Sequence, residues 1–130
     1  RPLLFSTAIP PAEAAAATEA VKLLSETGEY TDRLWQNAKR FKAGLSALGF
    51  DLGHSETPIT PVMIGEEAKT MAFSKALLAE GVFVSGIVFP TVPLGKGRLR
   101  CMISAGHTEE DLDFAIAAFG KVGRALGVIR

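Results

Sequence analysis

FVSGIVFPTVPLGKGRLRCMISAGH, residues 83–107, combines strand-like apolar runs, closely placed prolines and two arginines two positions apart. At its centre, Arg98-Leu99-Arg100-Cys101-Met102-Ile103 alternates as a strand does. Leu99, Cys101 and Ile103 then share one face, and Arg98, Arg100 and Met102 share the other. The first face is core and the second carries charge. Two guanidinium groups beside a methionine leave two readings open. Either they pair with acidic residues of this chain on an exposed sheet face, or they meet an anionic ligand, since an unpartnered buried cation is costly.

Outward from that strand, Thr108 followed by Glu109, Glu110 and Asp111 predicts a capped helix running to about Leu126, with Gly127 ending it and Leu112, Ala115, Ile116, Phe119 and Val122 facing the core. Upstream, Val82 to about Val84 reads as a strand. A helix is predicted over 66–80, with Ala68, Met71, Ala72, Ala76, Leu78 and Ala79 as its apolar set and Gly81 closing it. Ile59 to Ile64 reads as a strand whose Pro61 suits an edge or a strand start, and Phe50 to Leu52 as a shorter one. Pro10-Pro11 opens an alanine-rich helix to about Glu26. A second helix follows from about Tyr30 to Leu48, with Leu34, Ala38, Phe41, Leu45 and Leu48 at helical spacing and Gly49 as its cap. The fold class is α+β: a small, mostly antiparallel sheet covered by helices on one face, with the other face open as half a cleft.

Bulk properties exclude some functions. Apolar residues make up 48% and charged residues 22%, which rules out disorder as the main state. Lys+Arg and Asp+Glu both number 14, so no net field draws the chain to nucleic acid or to an anionic membrane. The single cysteine, Cys101, falls on the core face of the arginine strand and reads as a small buried hydrophobe. No apolar run has membrane-spanning length and nothing points away from the cytoplasm. The opening Arg1-Pro2-Leu3-Leu4-Phe5, inside an apolar run, looks like a cut into a longer chain.

RPLLFSTAIPP (1–11) and the stretch from Phe83 through GKVGRALGVI (120–129) resemble the carboxy-terminal part of the α-oxoamine synthases, and the resemblance runs the whole length. These are fold type I enzymes that use pyridoxal 5'-phosphate (PLP) to condense an amino acid with an acyl-CoA. TDRLWQNAKRFKAGLSALGF (31–50) and the 120–129 ending are most similar to the glycine C-acetyltransferase branch, which joins glycine to acetyl-CoA to make 2-amino-3-oxobutanoate, or runs the reverse cleavage. The 8-amino-7-oxononanoate synthase branch is the alternative within the family. A non-catalytic α+β binding or oligomerisation module is the alternative outside it.

The resemblance implies that residues 1–25 end a large domain and form a connecting helix, and that 26–130 are the small domain of a homodimeric enzyme. It implies that Ser6 and Thr7 give hydroxyls to the cofactor phosphate of the neighbouring subunit, and that Arg100 anchors the substrate α-carboxylate, for which a planar fork is suited. Arg98 takes a supporting or structural role. His107 reads as a turn and cap residue, His54 as a polar turn residue, and Val84, Ser85 and the Phe89–Pro93 loop as channel lining. The family's cofactor-bearing lysine lies upstream of this stretch in its members. Lys121 sits on an amphipathic helix, and Gly95-Lys96-Gly97 is too short for a phosphate loop, so the chain alone is expected to be inert. In the family the cofactor ring is the electron sink for the substrate carbanion.

Overall fold

The computed structural model describes residues 7–130, and the chain divides after Asp32 into two compact units. In the first, Thr7 to Pro10 is irregular and exposed. Helix α1 spans Pro11–Glu26 with a proline at its start, where the missing N–H is no loss. None of its residues is buried, and Val21 and Leu24 are more than half exposed.

Helix α2 follows at Glu29–Ala47. The second unit then contains strand β1 (Thr60–Gly65), helix α3 (Glu67–Ala79), strands β2 (Ser85–Ile87) and β3 (Gly97–Cys101), and helix α4 (Glu109–Ala125). The three strands form an antiparallel sheet in the order β1-β3-β2. Pro61 thus lies on an edge strand, where its missing donor is tolerated. The register shifts at a bulge between Met63 and Gly65, and Gly65, at φ +94°, resumes the β1–β3 pairing opposite Gly97.

Helices α2, α3 and α4 end in the same way. Gly49, Gly81 and Gly127 take positive φ and donate to Ser46, Leu78 and Arg124 carbonyls, while Phe50, Val82 and Val128 donate to Leu45, Leu77 and Gly123 carbonyls. Each is a Schellman motif, in which the glycine turns the chain and the next residue is apolar. Two of the predicted strands are overturned by this geometry. Phe50 and Val82 spend their N–H groups closing the preceding helix, so 50–52 is no strand, and the strand expected at 82–84 begins only at Ser85. Asp51 keeps a single ladder-like bond, accepting from the Met63 N–H at 2.8 Å.

The core lies between the sheet and α2, α3 and α4. Leu99 and Cys101 of β3 and Val62 of β1 point into it. There they meet Phe41 and Leu45 from α2, Phe73 and Leu77 from α3, and Leu112, Phe119 and Val122 from α4. Phe119 is the hub of an aromatic cluster, with its ring centroid 5.8 Å from Phe41, 5.9 Å from Phe50 and 5.8 Å from Phe73. The buried face of α3 is a correction. Thr70, Phe73 and Leu77 are its buried residues, whereas Met71 and Leu78 are at least half exposed and Ala68, Ala72 and Ala79 are exposed. Apolar residues surround α3 on all sides, so periodicity could not select a face and the bulk of Phe73 did. Thr70 is admitted because its hydroxyl donates to the Glu66 carbonyl at 2.7 Å.

The amino-terminal cap of α4 is as predicted. Thr108 Oγ1 accepts from the Asp111 N–H at 3.1 Å, and Asp111 returns the bond by accepting from the Thr108 N–H at 2.8 Å.

Candidate functional site

The sheet face turned away from the core carries the arginines. Residues opposite one another in an antiparallel pair share a face, so the register places Arg100 between Pro61 and Ser85, and Arg98 between Met63 and Ile87. Met102, 61% exposed, continues that face beyond the end of β3. Arg100 is exposed and Arg98 half-buried.

No carboxylate among the described residues pairs with either guanidinium. The acidic groups that do pair go elsewhere: Glu109 and Asp113 to Arg40, Glu80 to Lys121, Glu19 to Lys22 and Glu56 to His54. The reading in which the two arginines are neutralised by this chain's own acids therefore fails among those residues. Arg98 Nε donates to the Lys96 carbonyl at 3.2 Å. The Cα atoms of Arg98 and Arg100 stand about 7 Å apart along the strand, and two like charges at that separation would repel by about 0.6 kcal/mol in water and about 2 kcal/mol at an effective dielectric constant of 20. An anion laid on this face relieves that repulsion.

A cleft of about 510 Å³ opens at the far end of β3, lined by Phe41, Phe83, Cys101, Met102, His107 and Phe114 among others. Its polar edge is fixed. Ser104 N–H donates to His107 Nδ1 at 3.2 Å, which leaves the proton of the neutral ring on Nε2. Asn37, 8% exposed, donates through Nδ2 to both the Ser104 and the His107 carbonyls at 2.9 Å. Asn37 holds the loop between β3 and α4 in place, and sequence reasoning passed over it. Its signal was present: a polar residue three positions after Leu34 and four before Phe41, on the face of α2 that should be apolar. His107 is a turn residue here, its N–H donating to the Ser104 carbonyl at 3.3 Å.

Of the other candidates, Ser85 is exposed on the arginine face, while Val84 is buried and lines the cleft. In the Phe89–Pro93 loop, which turns through a Thr91 N–H to Val88 carbonyl bond, Phe89 is 56% exposed. His54 is exposed, 3.6 Å from Glu56, and Lys121 is held by Glu80 at 2.7 Å on the surface. Burial pushes the Cys101 thiol up to about 12, so it is no nucleophile at neutral pH. Among the described residues no three His, Cys, Asp or Glu side chains gather as a metal site. No described helix is long and apolar enough to cross a membrane.

The described residues do not by themselves make a self-contained PLP site. Thr7 is an exposed hydroxyl, Ser6 lies outside the described residues, and every described lysine is exposed or half-buried rather than enclosed with anion-binding groups around it.

The three-stranded antiparallel sheet is thus backed by helices on one face, and its other face carries two arginines without a carboxylate partner among the described residues. The chain belongs to the aminotransferase class I and II family, which it matches over residues 1–119. It is 65% identical over 129 residues to the 8-amino-7-oxononanoate synthase of Alkaliphilus oremlandii, covering 99% of this chain and 33% of that one. Among solved structures it is similar to the serine palmitoyltransferase of Sphingomonas wittichii (32% identity, TM-score 0.89, covering 97% of this chain and 32% of that one). A second similarity is to a serine palmitoyltransferase variant with PLP (37% identity, TM-score 0.88, covering 94% and 31%). The chain spans about a third of the length of each of these relatives.

Proposed function

We propose that this chain is the substrate-holding small domain of a longer, homodimeric α-oxoamine synthase, which joins the α-carbon of an amino acid to the acyl group of a thioester. The observation that carries this reading is Arg100, exposed on the open sheet face with no carboxylate partner among the described residues, in a chain of this family. Its side chain offers two parallel N–H donors to a planar carboxylate, so the amino acid is bound in one orientation rather than merely attracted. Pro61 and Ser85 flank it and limit the directions from which the carboxylate can approach. The strand that carries Arg100 is pinned by Leu99 and Cys101 in the core, which gives the fork a rigid base. PLP binding by Ser6 and Thr7 and the domain boundary near residue 25 belong to the same proposal, with the cofactor's other contacts supplied by the remainder of the enzyme.

Within the family, the relatives support an 8-amino-7-oxononanoate synthase over a glycine C-acetyltransferase using glycine and acetyl-CoA. The features that favoured the latter lie on α2 and along the end of α4, not on the arginine face. They bear on lineage more than on substrate. Mass spectrometry of products made by the full-length protein tests this directly. Formation of 8-amino-7-oxononanoate is expected. Exclusive formation of 2-amino-3-oxobutanoate from glycine and acetyl-CoA would overturn the choice of branch and leave the class intact.

A further inference from the structure

Once Arg100 is given a carboxylate, Arg98 remains on the same face with no carboxylate partner among the described residues. We infer that Arg98 is a second anion anchor, so that the open sheet face takes a small molecule carrying two anionic groups, a dicarboxylate being the simplest. This rests on the reading of Arg100 as a carboxylate anchor.

Four observations carry it. Arg98 is half-buried yet has no carboxylate partner among the described residues, whereas Arg40, on the helical side, is held by both Glu109 and Asp113. Its Nε already donates to the Lys96 carbonyl, which restrains the guanidinium and leaves both terminal amino groups for an end-on pair with one anion. It stands two strand positions from Arg100, about 7 Å along β3. Its cross-strand neighbours Met63 and Ile87 are apolar and give a connecting carbon chain a surface to lie on. A single small anion would have to divide its oxygens between the two forks. Two anions on one chain give each fork its own, and joining them makes the second contact intramolecular.

The test follows the arginine Nε–H signals of the whole chain by NMR. It is titrated with acetate, inorganic phosphate and straight-chain dicarboxylates from malonate to suberate. Acetate should move Arg100. One length of dicarboxylate should move both Arg98 and Arg100 and bind at least about tenfold more tightly than acetate. Arg98→Gln should reduce that ligand to the acetate level while Arg100 still responds, and Arg98→Lys should fall between. The backbone amide of Leu99 reports that the strand is intact in each variant. The inference is overturned if no dicarboxylate moves Arg98 while Arg100 responds, if Arg98→Gln leaves the preference unchanged, or if phosphate engages both arginines as tightly as any dicarboxylate. If acetate fails to move Arg100, the underlying reading fails first, and this one falls with it.

Discussion

Truncating the aromatic hub by Phe119→Ala should come close to unfolding the second unit. Phe119 is 1% exposed and meets three rings, edge-on with Phe41 (84°) and Phe50 (88°) and tilted against Phe73 (42°). Removing a buried phenyl ring costs ~3–5 kcal/mol through lost transfer energy and the cavity left behind. Aromatic pairs add ~0.5–1.5 kcal/mol each beyond area burial, part of which that range already contains, so the upper half of it applies. Four elements meet at this ring: α2, the Phe50 turn, α3 and α4. None can collapse into the void without dragging its Schellman motif along. Against a total of ~5–15 kcal/mol for a domain, little stability would remain. Urea unfolding followed by circular dichroism should show a midpoint lowered by more than about 1 M with an unchanged slope. Phe114→Ala, on the same helix but 57% exposed, is the control and should stay within ~0.5 kcal/mol of the parent. A loss below ~1.5 kcal/mol for Phe119→Ala, or an equal loss at Phe114, would refute the placement of the core.

Cys101, with its thiol pushed up to about 12, should react with a disulfide reagent at pH 8 only as the chain unfolds, its thiolate fraction being roughly a thousandfold below that of a free cysteine. Rapid labelling of the native chain would contradict its burial. Asp111, held by Thr108 N–H and hydroxyl, and Asp113, held by Arg40, both have carboxyls below the usual range. The stability they contribute is present above the ordinary carboxylate pKa and is lost as pH falls through the lowered values. Asp111→Asn should therefore flatten the acid limb of the stability profile, and Thr108→Ala should cost about 1 kcal/mol at pH 7; an unchanged acid limb would argue against the capping box. Borohydride reduction of the chain with PLP should label no single lysine stoichiometrically; one lysine fully labelled would mean that the chain holds the cofactor by itself.

Where a local rule left one answer, the structure was legible in the residues. Glycine before an apolar residue marked three helix ends, Thr108 with Asp111 marked a helix start, and alternation in Arg98–Ile103 sorted the core face from the arginine face. Reading failed where two rules competed for the same residues. Phe50 and Val82 have strand composition, but their backbone donors are claimed by the helix just ended. On α3 the apolar residues were too many to define a stripe, and volume decided. Asn37 stood out locally as a polar residue on the apolar face of α2, but its partners, the Ser104 and His107 carbonyls, are nearly seventy positions away and only the fold shows them. The arginine face was visible as a face, but its unmatched charge was not, because only the fold shows that Glu109 and Asp113 are committed to Arg40.

Comparing Arg100→Lys with Arg98→Lys in the full-length enzyme, by kcat/KM for the amino-acid substrate, most directly tests the assignment of Arg100. Both changes keep a charge on the same strand face, so fold damage is matched. Losing the bidentate fork at Arg100 should cost ~1.5–3 kcal/mol, roughly ten- to a hundred-and-fifty-fold, and the Arg98 change should cost much less for an amino acid with a single carboxylate. Equal losses from the two, or a loss confined to the acyl thioester with amino-acid affinity intact, would mean that Arg100 does not hold the carboxylate.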